Sequence, residues 1–147
     1  MSEQQRIAEL LGHSFGEEAL LEEALTHRSH AVEQGGFDNE RLEFLGDRVL
    51  GLVIAKKLLE IYPDEKEGIL DKKFASLVNK NTSLKIAKNL NLQKYILVYK
   101  PKNKNIPIED KVIADACEAL IGAIYLDKGF AVTEKIILDL WKKHIDE

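Results

Sequence analysis

Two stretches of this chain set carboxylates into segments that are otherwise apolar on every side of a helix. The first, Asn39 to Leu50, reads Asn-Glu-Arg-Leu-Glu-Phe-Leu-Gly-Asp-Arg-Val-Leu. Glu40, Glu43 and Asp47 fall at i, i+3 and i+7, so at roughly 100° per helical residue they share one face within about 60°. Val49 through Ala55 then place apolar or small residues around the whole circumference. A helix of that kind is expected to be buried. The second stretch, Asp110 to Asp127, is again apolar inside except for Asp115 and Glu118 at i, i+3. Their face continues with Ala119 and Gly122, small enough for a neighbouring helix or a ligand to come close. Buried carboxylates are costly unless they are paired or hold a metal. Two acidic stripes on two buried helices can satisfy each other by placing cations between them. An all-oxygen ligand set favours Mg²⁺ or Mn²⁺ over Zn²⁺ or copper. The alternative is a set of buried ion pairs to Arg28, Arg41 or Arg48.

The rest of the chain reads as one all-α domain spanning residues 1–147. Helical periodicity covers Gln4 to Leu11 and Glu17 to Leu25. Glu33 to Asp38 is a loop, and Asp38 or Asn39 is the N-cap of the first acidic helix. That helix should end near Ile61, because Pro63 disfavours helix at Tyr62. Helices follow at about Leu70–Val78 and Thr82–Asn89. Residues Lys94 to Tyr99 fit a short strand or a helical turn equally well, and Pro101 to Pro107 is a polar loop. After the second acidic helix, Gly129 is a break and a last helix runs from about Thr133 to His144. The single cysteine, Cys117, excludes an internal disulfide, and its place on the second acidic helix makes it an inert core residue. No apolar run is long enough to span a membrane and the N-terminus lacks signal-peptide character, so a cytoplasmic protein is expected.

Charge is strongly segregated. Net charge is −4, yet from Lys72 to Ile108 there are nine lysines and no acid, which leaves −13 for the remainder. Such a block can form a phosphate-binding surface, with Lys72, Lys73, Lys100, Lys102 and Lys104 as the candidates for that contact. It can equally be a solvated face that keeps the protein soluble.

Glu40-Arg41-Leu42-Glu43-Phe44-Leu45-Gly46-Asp47 resembles the signature of the ribonuclease III endonuclease domain. The upstream Ala24-Leu25-Thr26-His27-Arg28-Ser29 is similar to the segment that precedes it in that family. Ala114 to Ala123 resembles the family's second acidic motif, and the likeness covers nearly the whole chain. It implies a helical homodimer that cuts both strands of double-stranded RNA, leaving 5′-phosphates and short 3′ overhangs, for instance in ribosomal RNA precursors. It also implies Mg²⁺ as cofactor, with Mn²⁺ able to substitute. Carried over by position, Glu43, Asp47, Asp115 and Glu118 are the metal ligands, with Asp47 and Glu118 catalytic. Glu40 and Glu67 line the same acidic valley, and Phe44 packs into the partner subunit. The likeness is to the bacterial type without its double-stranded-RNA-binding domain, which would begin where this sequence stops at Glu147.

Each of these residues has a plainer reading. Glu40 is favoured by the helix dipole in any first turn or can pair with Arg41 or a lysine, Glu67 can be solvated beside its turn, and His27 can be a core or a capping residue. Phe44 and Trp141 can be core residues. Three positions depart from the family pattern. Arg48 stands where a small residue is usual and can pair with Asp47 or reach a phosphate. Asp71 stands where Ser or Thr is usual, and Phe74 where Arg is usual. A non-cleaving RNA-binding protein of the same fold is therefore the second reading. A di-iron carboxylate bundle would need Glu-x-x-His pairs, and neither acidic helix contains a histidine.

Overall fold

The computed structural model describes residues 3–101 and 106–146. These form eight α-helices: α1 (Glu3–Leu11), α2 (Glu18–Ala24), α3 (Arg28–Gln34), α4 (Glu40–Ile61), α5 (Glu67–Val78), α6 (Lys80–Asn89), α7 (Asp110–Lys128) and α8 (Phe130–Ile145). A 3-10 turn at Leu92–Lys94 follows α6. Among the described residues there is no strand, only an isolated parallel bridge between Thr26 and Leu97. The all-α expectation holds, and the ambiguous segment after Lys94 turns out to be a 3-10 turn followed by that bridge.

Helix α7 is the central rod. Every residue from Ala116 to Ile124 is buried, and α2, α4, α6 and α8 all pack on it. Local chemistry sets its limits. Gly129 adopts φ +85°, a conformation that a side chain would strain, and its N–H donates to the Tyr125 carbonyl at 2.8 Å. The chain restarts at once as α8, whose Trp141 is fully buried and donates its indole N–H to the Leu77 carbonyl at 2.8 Å. That bond ties α8 to the end of α5.

Four helices differ from the sequence expectation, and for α3 and α6 the local reason is a side-chain cap. Helix α3 has no buried residue and hence no apolar stripe to reveal it. It starts because His27 Nδ1 accepts the Ser29 N–H at 3.1 Å, the capping role open to that histidine. Helix α6 begins at Lys80 because Asn79 Oδ1 caps the Thr82 N–H at 2.9 Å. Helices α5 and α8 each start three residues early, at Glu67 and Phe130. At the start of α4 the two expected caps divide the work. Asp38 Oδ1 accepts the Glu40 N–H at 3.0 Å, while Asn39 turns inward and donates to the Ala24 carbonyl at 3.1 Å.

Helices α4 and α7 cross in backbone contact. A Cβ at Gly46 would overlap the Glu118 carbonyl oxygen, and one at Gly122 would overlap the Leu42 carbonyl oxygen. The expectation that α4 is buried all round is corrected here. Leu42, Gly46, Val49, Leu50, Val53, Ile54 and Leu58 are buried, but Phe44, Leu52 and Leu59 are 63%, 58% and 61% exposed. With Arg48 and Ala55 they line one face of the helix, within about 80° of one another.

Gly46→Ala is expected to cost about 3 kcal/mol or more, because the added methyl meets backbone that cannot move aside. Gly68→Ala, on α5 with open space around it, should instead stabilise by about 0.5–1 kcal/mol. Urea unfolding of the two variants beside the parent checks both signs.

Candidate metal centre

Because α4 and α7 touch at Gly46 and Gly122, the acids just beside that contact converge. Glu43 comes from α4, and Asp115 and Glu118 from α7; one oxygen from each lies within 4.8 Å of the others. Their side chains grade from 28% exposed at Glu43, through 14% at Asp115, to none at Glu118. Glu118 is therefore a carboxylate in the core itself. Its Oε1 is buried and has no hydrogen-bond partner.

A lysine from a third helix closes the cluster. Lys80, the first residue of α6, donates to Glu43 Oε1 at 3.1 Å, to Asp115 Oδ1 at 2.8 Å and to Glu118 Oε2. Lys111, one turn before Asp115 on α7, donates to the other Asp115 oxygen at 2.7 Å. The cations in this cluster are thus lysines, not the arginines weighed from the sequence. In the sequence Lys80 is one of nine lysines in an acid-free block. No spacing in the chain points to it, since it is 37 residues from Glu43 and 38 from Glu118.

The electrostatics follow from burial and these bonds. Burial pushes the Glu118 carboxyl up to about 7, helped by the charges of Asp47 and Glu43 and only partly opposed by Lys80. Burial works the same way on Asp115, but the hydrogen bonds from Lys111 and Lys80 outweigh it and lower its pKa. Burial alone would lower Lys80, yet its bonds to Asp115, Glu118 and Glu43 raise it instead. The Cys117 thiol, beside Glu118, is pushed up to about 12 by burial and is inert, as expected.

The other sequence candidates are distributed as follows. Asp47 lies outside the three-carboxylate group and is 47% exposed, with Arg48 Nη1 3.2 Å from its Oδ2. Arg48 also lies 4.0 Å over the exposed Phe44 ring. Glu40 is exposed and lines a cleft of about 700 Å³ with Glu43, Asp115, His27, Arg28 and Lys111. Glu67 does not reach that cleft; it lines a separate groove with Leu59, Asp71 and Phe74. The Phe74 ring packs against α4 at Gly51, where it leaves just room for a Cβ. Among the basic candidates, Lys72 and Lys100 are exposed and the Lys73 ammonium sits 4.3 Å over the Tyr62 ring. Lys102 and Lys104 lie outside the described residues.

A group whose folded pKa lies above its unfolded value contributes stability that is fully present below the unfolded value. It is lost as pH rises through the folded one. For Glu118 the window runs from about 4.5 to about 7. In EDTA at pH 8, Glu118→Gln should be more stable than the parent by roughly 1–3 kcal/mol, at about 1.4 kcal/mol per pKa unit. That advantage should vanish near pH 4.5, which urea titrations at the two pH values will show.

The family model described as ribonuclease-III-like matches residues 17–144. A protein named ribonuclease 3 from Pelagibacter ubique is 63% identical over 131 residues, covering 89% of this chain and 58% of the relative. One of the same name from Bordetella avium is 46% identical, covering 86% of this chain and 49% of the relative. The chain thus spans roughly half the length of these relatives. Among solved structures, the nuclease domain of ribonuclease III from Campylobacter jejuni superposes with a TM-score of 0.89 at 38% identity, over 100% of this chain and 99% of that one. Another structure of that domain concerns flexibility in the region involved in its dimer formation. Dicer from Pichia stipitis matches with a TM-score of 0.69 at 25% identity, over 90% of this chain and 57% of that one. Sequence and fold agree: this chain belongs to the ribonuclease III family.

Proposed function

We propose that this chain is a metal-dependent endoribonuclease that hydrolyses phosphodiester bonds in double-stranded RNA and leaves 5′-phosphates with short 3′ overhangs. The observation that carries this reading is the meeting of Glu43, Asp115 and Glu118 within 4.8 Å, with Glu118 Oε1 buried and unpartnered. An orphaned carboxylate oxygen in the core fits a hard-cation site, where the ion would be its partner. The donor set is all oxygen and fits Mg²⁺, with Mn²⁺ able to take its place. Such an ion supplies charge neutralisation at the phosphate and an acidified water. The residues do the rest. Glu43, Asp115 and Glu118 hold the ion, and the α4–α7 crossing fixes their positions. Asp47 stands at the rim as a further ligand once it is released from Arg48, and Glu40 extends the acidic wall of the cleft.

Arg28 and Lys111 border the same cleft and suit phosphate oxygens. Lys72, Lys73, Lys100, Lys102 and Lys104 are proposed to extend that contact along the duplex. Duplex RNA is read through A-form shape, phosphates and 2′-hydroxyls, and the proposed substrates include the duplex regions of ribosomal RNA precursors. The exposed apolar face of α4, with Phe44, Leu52 and Leu59, supports a homodimer. One active centre per subunit would then cut each strand once, and Glu67 joins the acidic valley only across that interface. No described helix is long and apolar enough to cross a membrane, and the proposed compartment is the cytoplasm. The second reading, a non-cleaving RNA-binding protein, draws on the Arg48–Asp47 pair, which removes one acid from the site.

A long RNA duplex at low salt tests the choice. Cleavage to short duplexes with 3′ overhangs is expected with Mg²⁺ and none with EDTA. Asp115→Asn and Glu118→Gln should each lower the rate more than about a hundredfold, beyond the loss usual for an outer-shell partner. Duplex binding without cutting, even with Mn²⁺, would leave the second reading in place. Phe44→Ala should weaken dimerisation at least about thirtyfold if the ring is a buried anchor, as sedimentation will show.

A further inference from the structure

Lys80 does more than neighbour the carboxylates. Its Nζ is bonded to all three oxygens-bearing side chains of the cluster: Glu43 at 3.1 Å, Asp115 at 2.8 Å, and Glu118. Those are the three residues whose oxygens could share one ion. A divalent ion at about 2.0–2.1 Å from the same oxygens would overlap the ammonium. The centre can hold one or the other. We propose that Lys80 is a tethered counterion of the metal-free centre, so that loading a divalent cation is an exchange in which the ammonium leaves. This rests on the metal-dependent reading above and adds a residue to it.

Two features of the fold make the exchange feasible. The backbone at Lys80 is anchored without help from the acids. Asn79 caps Thr82 at 2.9 Å and donates to the Ala75 carbonyl at 3.0 Å, and Thr82 Oγ1 donates to the Ser76 carbonyl at 2.9 Å. The side chain itself is 49% exposed, so it can swing outward without opening the core, whereas Glu118, fully enclosed, cannot follow. A helix N-terminus is also the wrong end for a cation. Nothing in α6 therefore favours the ammonium there; its attraction comes from the three carboxylates of α4 and α7. Lys111 differs, being 77% exposed and bonded within the cluster to Asp115 alone.

Two measurements on the intact chain without RNA decide the matter. The first is acetylation of lysines in the unmodified protein, read by mass spectrometry in EDTA and in saturating Mn²⁺, with exposed Lys85 as internal reference. Lys80 should become several-fold more reactive when Mn²⁺ binds; unchanged or reduced reactivity would overturn the proposal. The second is Mn²⁺ affinity by electron paramagnetic resonance. Lys80→Met should bind at least about tenfold more tightly, since a positive charge a few ångströms from the ion is removed. Lys80→Arg, which keeps a competing cation, should not. A folded Lys80→Met that binds Mn²⁺ no more tightly than the parent refutes the exchange while leaving the metal site intact. If parent and variant both fail to bind Mn²⁺, the metal-dependent reading itself falls. Should Lys80→Met not fold, the acetylation result decides alone.

Discussion

The contact between α4 and α7 at Gly46 and Gly122 governs the rest of the molecule. Two helices that meet backbone to backbone come closer than side chains normally allow, and both glycines face a carbonyl of the other helix. The acids near that crossing have no freedom to splay apart. Glu43 lies one turn before Gly46, and Glu118 one turn before Gly122, so the closest point of the two helices is also where their carboxylates meet. Packing and chemistry are thus set by the same two residues. Neither glycine is needed for an unusual backbone angle; each is needed because nothing larger fits.

Convergence of that kind opposes stability. Like charges crowd one another, and Glu118 sits where water cannot reach it, which is why its carboxyl titrates far above the ordinary range. The fold compensates from α6. A single ammonium bonded to three carboxylates offsets part of the repulsion, and the Asn79 cap delivers it by fixing the first turn of α6. Glu118 Oε1 is still left without a partner. An unsatisfied group in the core usually lowers stability by about 1–3 kcal/mol, and retaining one is reasonable where function needs the empty coordination. The stability of the metal-free protein and its capacity to bind a cation are opposed at the same atoms.

The departures from the family pattern acquire physical meaning in three dimensions. Phe74 is a packing residue against Gly51 of α4, so an aromatic ring fills space beside a glycine. Arg48 is held by three contacts with two residues: the Phe44 ring at 4.0 Å, the Phe44 carbonyl at 3.4 Å and Asp47 at 3.2 Å. It lies on the exposed apolar face of α4, paired with Asp47. A change at the proposed subunit contact can therefore be felt at Asp47, one residue away.

Much of this was legible in the sequence. The two acidic helices, the all-α class and the inert Cys117 follow from local spacing and the cost of burying charge, which neighbouring residues decide among themselves. The family resemblance implied a set of four carboxylates, of which the fold brings Glu43, Asp115 and Glu118 together and leaves Asp47 outside. Helix α3 escaped because a helix with no buried side chain carries no apolar period. The exposed side of α4 escaped for the converse reason: an apolar face looks the same in sequence whether the core or another subunit is to cover it. Lys80 is the clearest case. In the sequence it is one of nine lysines in an acid-free block; in the fold it is the cation at the centre of the site. Its role depends on where α6 lands relative to a crossing formed by residues 37 and 38 positions away, and distance through space is something only the tertiary structure decides.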